Sequence, residues 1–109
     1  MLKELKQKYE SVIIISMKLG EEKIKEVVEK FKNLISNNAN LIDFNEWGKR
    51  KLAYPINYET EGYYVLFNFE SGLNFPAELV RQYRIDDSIV RFMVVVKAEE
   101  KPKKKANNL

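Results

Sequence analysis

WGKRKLAYPI, residues 47–56, lies inside a long strand-like stretch from Ala39 to Tyr58, and its two irregular residues decide where that strand can go. Gly48 interrupts the run of side chains, and a glycine inside a strand marks a bulge or bend. Pro55 has no N–H to give to a ladder, so it is tolerated at edges and bulges and excluded from positions between two neighbours. This strand is therefore expected at the border of a sheet.

The flanking segments supply the rest of the order. Tyr9 to Met17, YESVIIISM, is β-branched and nearly continuously apolar, as expected of a central strand with neighbours on both sides. Gly20 follows, with Glu21 and Glu22 in a first helical turn, where carboxylates suit the positive end of the helix dipole. Ile24, Val27, Val28, Phe31, Leu34 and Ile35 then recur at three-and-four spacing, which predicts an amphipathic helix ending near Asn37-Asn38. Its charged face reads as solvated surface with i,i+4 pairs such as Glu26 to Lys30. After the border strand, NYETEG supplies a turn. Tyr63 to Glu70 alternates, with Tyr63, Val65, Phe67 and Phe69 expected to face the core. Leu73 to Pro76 starts a second helix carrying Leu79, Val80 and Tyr83, which closes over Arg84 to Asp87. A last strand, Ile89 to Lys97, puts Val90, Phe92, Val94 and Val96 on one side.

Strand, helix, strand, strand, helix, strand is the order of an α+β, ferredoxin-like βαββαβ sandwich, a four-stranded antiparallel sheet with two helices on one face. Right-handed crossovers arrange its strands as 4-1-3-2. That arrangement puts the proline-marked second strand on an edge and the two most apolar strands in the middle. Residues 1–97 are expected to form this single domain, and residues 98–109, KPKKKANN with its flanks, a basic disordered tail.

Composition narrows the chemistry. The 109 residues include neither cysteine nor histidine, which removes disulfides, thiolate nucleophiles, imidazole bases and Cys/His metal clusters. No cofactor or metal site is expected, and the four glycines are isolated, so no phosphate-cradling loop is formed. Asp86-Asp87-Ser88 reads as turn chemistry rather than a catalytic cluster. The apolar runs are too short to cross a bilayer and the charged N-terminal stretch lacks a signal-peptide core, so no membrane partner and a cytoplasmic location are expected. Of the net charge of +3, two positive charges belong to the tail, so nucleic-acid binding by the folded part would rely on local patches.

Gly48 to Ile56 closely resembles the signature of the bacterial small-subunit ribosomal protein six family: Gly, any residue, two basic or polar positions, Leu, Ser or Ala, Tyr, Pro, Ile. Supporting matches are Tyr9-Glu10, Gly62-Tyr63, Arg84-Ile85 and the valine-rich last strand with Arg91; the resemblance covers roughly residues 8 to 97 and leaves the tail unmatched. It implies a non-enzymatic component of the small ribosomal subunit that pairs with small-subunit protein eighteen, binds the central domain of small-subunit ribosomal RNA and takes no small-molecule substrate.

Lys49, Arg50 and Lys51 offer phosphate contacts, and equally restrain promiscuous edge pairing. Tyr54 either packs in the edge strand or presents its ring to a partner. Tyr64 and Leu66 face away from the core and are expected to form an exposed apolar patch. Arg91 is solvated or bound to phosphate, and Arg84 serves either a helix C-terminus or a ligand. For Trp47, a place in the core at the sheet end is favoured. An RNA recognition motif shares this element order, but Glu61 to Asn68 lacks its stacking pattern. The alternative of another class is a small ferredoxin-like regulatory module that dimerises by its edge strand and binds a metabolite at the interface.

Overall fold

The computed structural model describes residues 6–56 and 58–97. The expected tail lies outside them. The chain forms β1 (Lys6–Ser16), a short 3-10 turn (Met17–Leu19), α1 (Glu21–Asn38), β2 (Asn40–Ile56), β3 (Glu59–Gly72), α2 (Phe75–Ile85) and β4 (Ile89–Val96). The strands form one antiparallel sheet in the order β2-β3-β1-β4. This is the ferredoxin-like arrangement expected from Pro55 and from the apolar density of the two central strands.

Alternation in the strands generates the core. Ile13 and Ile15 of β1 and Val65, Phe67 and Phe69 of β3 are fully buried beneath the helices. α1 contributes Ile24, Val27, Val28, Phe31 and Ile35, the stripe that its spacing predicts. α2 begins with Pro76 in its first turn, where the missing N–H costs nothing, and inserts Leu79 and Tyr83. Tyr83 joins the layers: its ring lies 4.9 Å from that of Phe31 and 5.4 Å from that of Phe92. Its hydroxyl shares a 2.7 Å hydrogen bond with Ser11, itself fully buried on β1. Burial pushes the Tyr83 phenol well above its ordinary range. Each large apolar side chain taken fully out of water here contributes about 1.5–3 kcal/mol.

Two expectations are corrected. The β1–β4 register slips between Ile14 and Ile15, pairing Ile14 with Arg91 and Ile15 with Ile89. Val90 is the extra residue, so Ile89 rather than Val90 joins Phe92 and Val94 against the core. Lys30 does not pair along its helix with Glu26; its ammonium lies 2.7 Å from Asp86, at the turn into β4. Burial pushes the Asp86 carboxyl up, but hydrogen bonds from Lys30 and Ser88 outweigh it and hold the group below its usual value. The Ser88 N–H donates to Asp86 Oδ1 at 2.8 Å, the local turn bond expected of Asp-Asp-Ser.

The β2–β3 hairpin is fixed from outside. Glu59 accepts hydrogen bonds from the Ser16 hydroxyl at 2.8 Å and the Met17 N–H at 3.1 Å, tying the hairpin to the end of β1.

Candidate nucleic-acid and partner interface

The site grows from the irregularities of β2. Gly48 adopts φ +86°, a left-handed conformation that glycine takes without steric cost, and the β2–β3 register slips between Glu46 and Gly48. Trp47 is the extra residue. It lies 45 % exposed on the sheet face away from the helices, its ring stacked 6.2 Å from Tyr64. The expected core position is thus wrong, because the bulge turns the indole onto the open face.

Four residues later the strand leaves the ladder. Pairing stops at Lys51–Glu61 and resumes at Ile56–Glu59, so Leu52 to Pro55 have no partners in β3. A proline here breaks no hydrogen bond. The segment folds over the open face: Leu52 is buried beside Gly62, and Tyr54 reaches Arg91 on the opposite edge of the sheet. The Arg91 guanidinium donates to the Tyr54 hydroxyl at 3.2 Å and lies 5.7 Å from its ring centre. An added Cβ at Gly62 would collide with the Ile14 side chain on the same face, and Leu52 packs beside that position at ordinary contact distance.

Tyr64 and Leu66 are therefore not the exposed patch expected of them. Leu66 is 8 % exposed and Tyr64 half-buried. Leu66 is flanked by its cross-strand neighbours Val12 and Asn45, and Tyr64 is shielded by Trp47. The open face is a part-sealed second apolar layer. Trp47, Tyr54 and Met93 remain exposed at its surface, with a hollow of about 280 Å³ lined by residues including Val12, Ile14 and Met93.

Beside this layer run the cations. Lys49, Arg50 and Lys51 are exposed and enter no ion pair among the described residues. Register puts Arg50 opposite Gly62, on the open-face side, and Lys49 and Lys51 opposite Tyr63 and Glu61, on the other. Arg50, Tyr54, Tyr64, Leu66 and Arg91 thus share a face. Arg84 does not: it lies in the last turn of α2, across the sheet.

Near these cations, Tyr63 donates a hydrogen bond to Glu46. That bond, with burial and the Glu46 charge, pushes the Tyr63 phenol up to about 12. Among the described residues no group of acidic side chains could hold a metal, and no helix is long and apolar enough to cross a membrane. The arrangement suits binding: aromatic and aliphatic surface for a macromolecule, cations for phosphate.

Sequence reasoning missed Leu52 and Gly62 as parts of the site. The available signal was Gly62 itself, at the alternation position of Tyr64 and Leu66, where a missing side chain implies something packed above it.

Comparison with known proteins points one way. The family model for ribosomal protein S6 matches residues 8–96. Small ribosomal subunit protein bS6 of Caldanaerobacter subterraneus subsp. tengcongensis is 48% identical over 88 residues, covering 80% of this chain and 93% of that protein. The bS6 protein of Clostridium botulinum is 46% identical over 90 residues, covering 82% of this chain and 96% of its own. Among solved structures, 30S ribosomal protein S6 from Thermotoga maritima superimposes with a TM-score of 0.81 at 28% identity, covering 85% of this chain and 89% of that one.

Proposed function

The chain belongs to the ribosomal protein S6 family, and on that premise we propose that it is a non-enzymatic component of the bacterial small ribosomal subunit, binding the central domain of small-subunit ribosomal RNA together with small-subunit protein eighteen. The relatives are named as small ribosomal subunit proteins, so its place of work is the cytoplasmic ribosome. One observation carries the finer reading: a part-sealed aromatic layer on the uncovered sheet face, with Arg50 and Arg91 on that face and Lys49 and Lys51 on the other side of the same edge strand as Arg50. An apolar layer that no element among the described residues completes suits a protein partner. Cations without internal carboxylate partners suit phosphates.

The test is a titration of the purified protein with the central-domain fragment of small-subunit ribosomal RNA, with and without protein eighteen, across salt. Binding should tighten when both proteins are present and weaken as salt rises. Arg50→Ala combined with Lys51→Ala should leave the thermal midpoint nearly unchanged and weaken assembly by about 1–3 kcal/mol. Equal affinity for unrelated RNA, or indifference to the partner, contradicts the reading; unchanged assembly by the double variant reduces these cations to guards of the sheet edge.

A further inference from the structure

On the helix side of the sheet, a groove of about 440 Å³ runs between α2 and β4. Pro76, Val80, Val94 and Val96 give it apolar walls, and Arg81 and Arg84 stand at its margin. The two arginines differ. Arg81 is engaged by Glu78, with bonds of 3.0 and 2.8 Å. Arg84 is exposed and enters no ion pair among the described residues. Val96, at the end of the groove, is 61 % exposed.

An apolar slot of single-ligand size, with a guanidinium at its mouth that no described carboxylate engages, matches the two halves of a nucleotide. The base would lie against aliphatic side chains or the Arg84 plane, and its phosphate would meet Arg84. We infer that the α2–β4 groove takes one unpaired ribonucleotide of an RNA, giving the protein an RNA contact on the sheet face opposite its aromatic layer. The inference rests on the RNA-binding reading above and deepens it. A protein bound across the open face would leave this groove accessible, so both contacts can be made at once.

The test uses the full chain and a single-stranded uridine hexanucleotide at low salt, followed by NMR of valine methyls and arginine side chains. Ring-current shifts are expected at Val80, Val94 and Val96, with a shift of the Arg84 side chain. Arg84→Gln should weaken this binding about tenfold, and Val96→Glu, which puts a carboxylate into an exposed position of the groove, should abolish the methyl shifts. Shifts confined to Lys49–Lys51 overturn the inference, as does an acidic peptide shifting the groove methyls when the hexanucleotide does not. Pyrophosphate reproducing every change overturns it too, because the site would then hold an anion without a base. The central-domain RNA fragment separates the two readings. If Arg50→Ala with Lys51→Ala weakens its binding and Arg84→Gln does not, the groove inference fails and the ribosomal reading stands. If the fragment does not bind while the hexanucleotide shifts the groove methyls, the ribosomal reading fails and the groove stands.

Discussion

The two faces of the sheet are made by alternate residues of the same strands, yet they end in different states. On the helix face, Ile13, Ile15, Val65, Phe67 and Phe69 lie under two helices and are closed from water. On the other, Ile14, Leu52 and Leu66 are buried only by neighbouring side chains and the strap from β2, while Trp47, Tyr54 and Met93 remain exposed above them. A half-buried sheet usually turns polar side chains outward. In β1 and β3 the outward set includes Val12, Ile14, Tyr64 and Leu66. The domain thus stabilises itself with one face and keeps on the other an apolar surface that the described residues cover only in part.

Truncation tests the asymmetry most strongly. Phe67→Ala opens a cavity beneath the helices and should cost about 3–5 kcal/mol in denaturant unfolding, whereas Leu66→Ala, one residue away on the other face, should cost about 2 kcal/mol. Equal losses would mean that the faces are energetically equivalent. Overpacking probes how tightly the open face is filled. Gly62→Ala should destabilise by about 1–3 kcal/mol, because its Cβ meets Ile14. In an Ile14→Ala background most of that cost should disappear; a cost that persists would place the strain in the backbone instead. The smallest effect is electrostatic. Tyr63, held up at about 12 by Glu46, has a folded-state pKa above the ordinary value of about 10. Its contribution to stability is therefore intact below about pH 10 and lost as pH rises through about 12. Glu46→Gln should return its titration towards the ordinary value, read from the Tyr63 ring carbon by NMR.

The sequence carries the element order because each element has its own periodicity, and Pro55 alone places β2 at a border. The helix-face core follows from alternation in β3 and the three-and-four spacing of α1. What escapes is whatever depends on slips of register. A bulge at Trp47 turns the indole outward, and a bulge at Val90 hands the core position to Ile89; each inserts one residue and reverses the parity on which alternation relies. The cation motif is visible as a pattern, but the union of Tyr54 with Arg91 is not. Those residues lie 37 apart, on opposite edges of the sheet, and meet only because four residues of β2 abandon the ladder.

The function proposed for the open aromatic face is to receive a protein. Trp47 is the chain's single tryptophan, so protein labelled with 5-fluorotryptophan gives one fluorine signal from that face. On addition of small-subunit protein eighteen and the central-domain RNA fragment, the signal should shift and lose its sensitivity to exchange of H₂O for D₂O. A complex that forms while the fluorine signal keeps its free position and solvent sensitivity would mean that the partner docks elsewhere and that this face stays open.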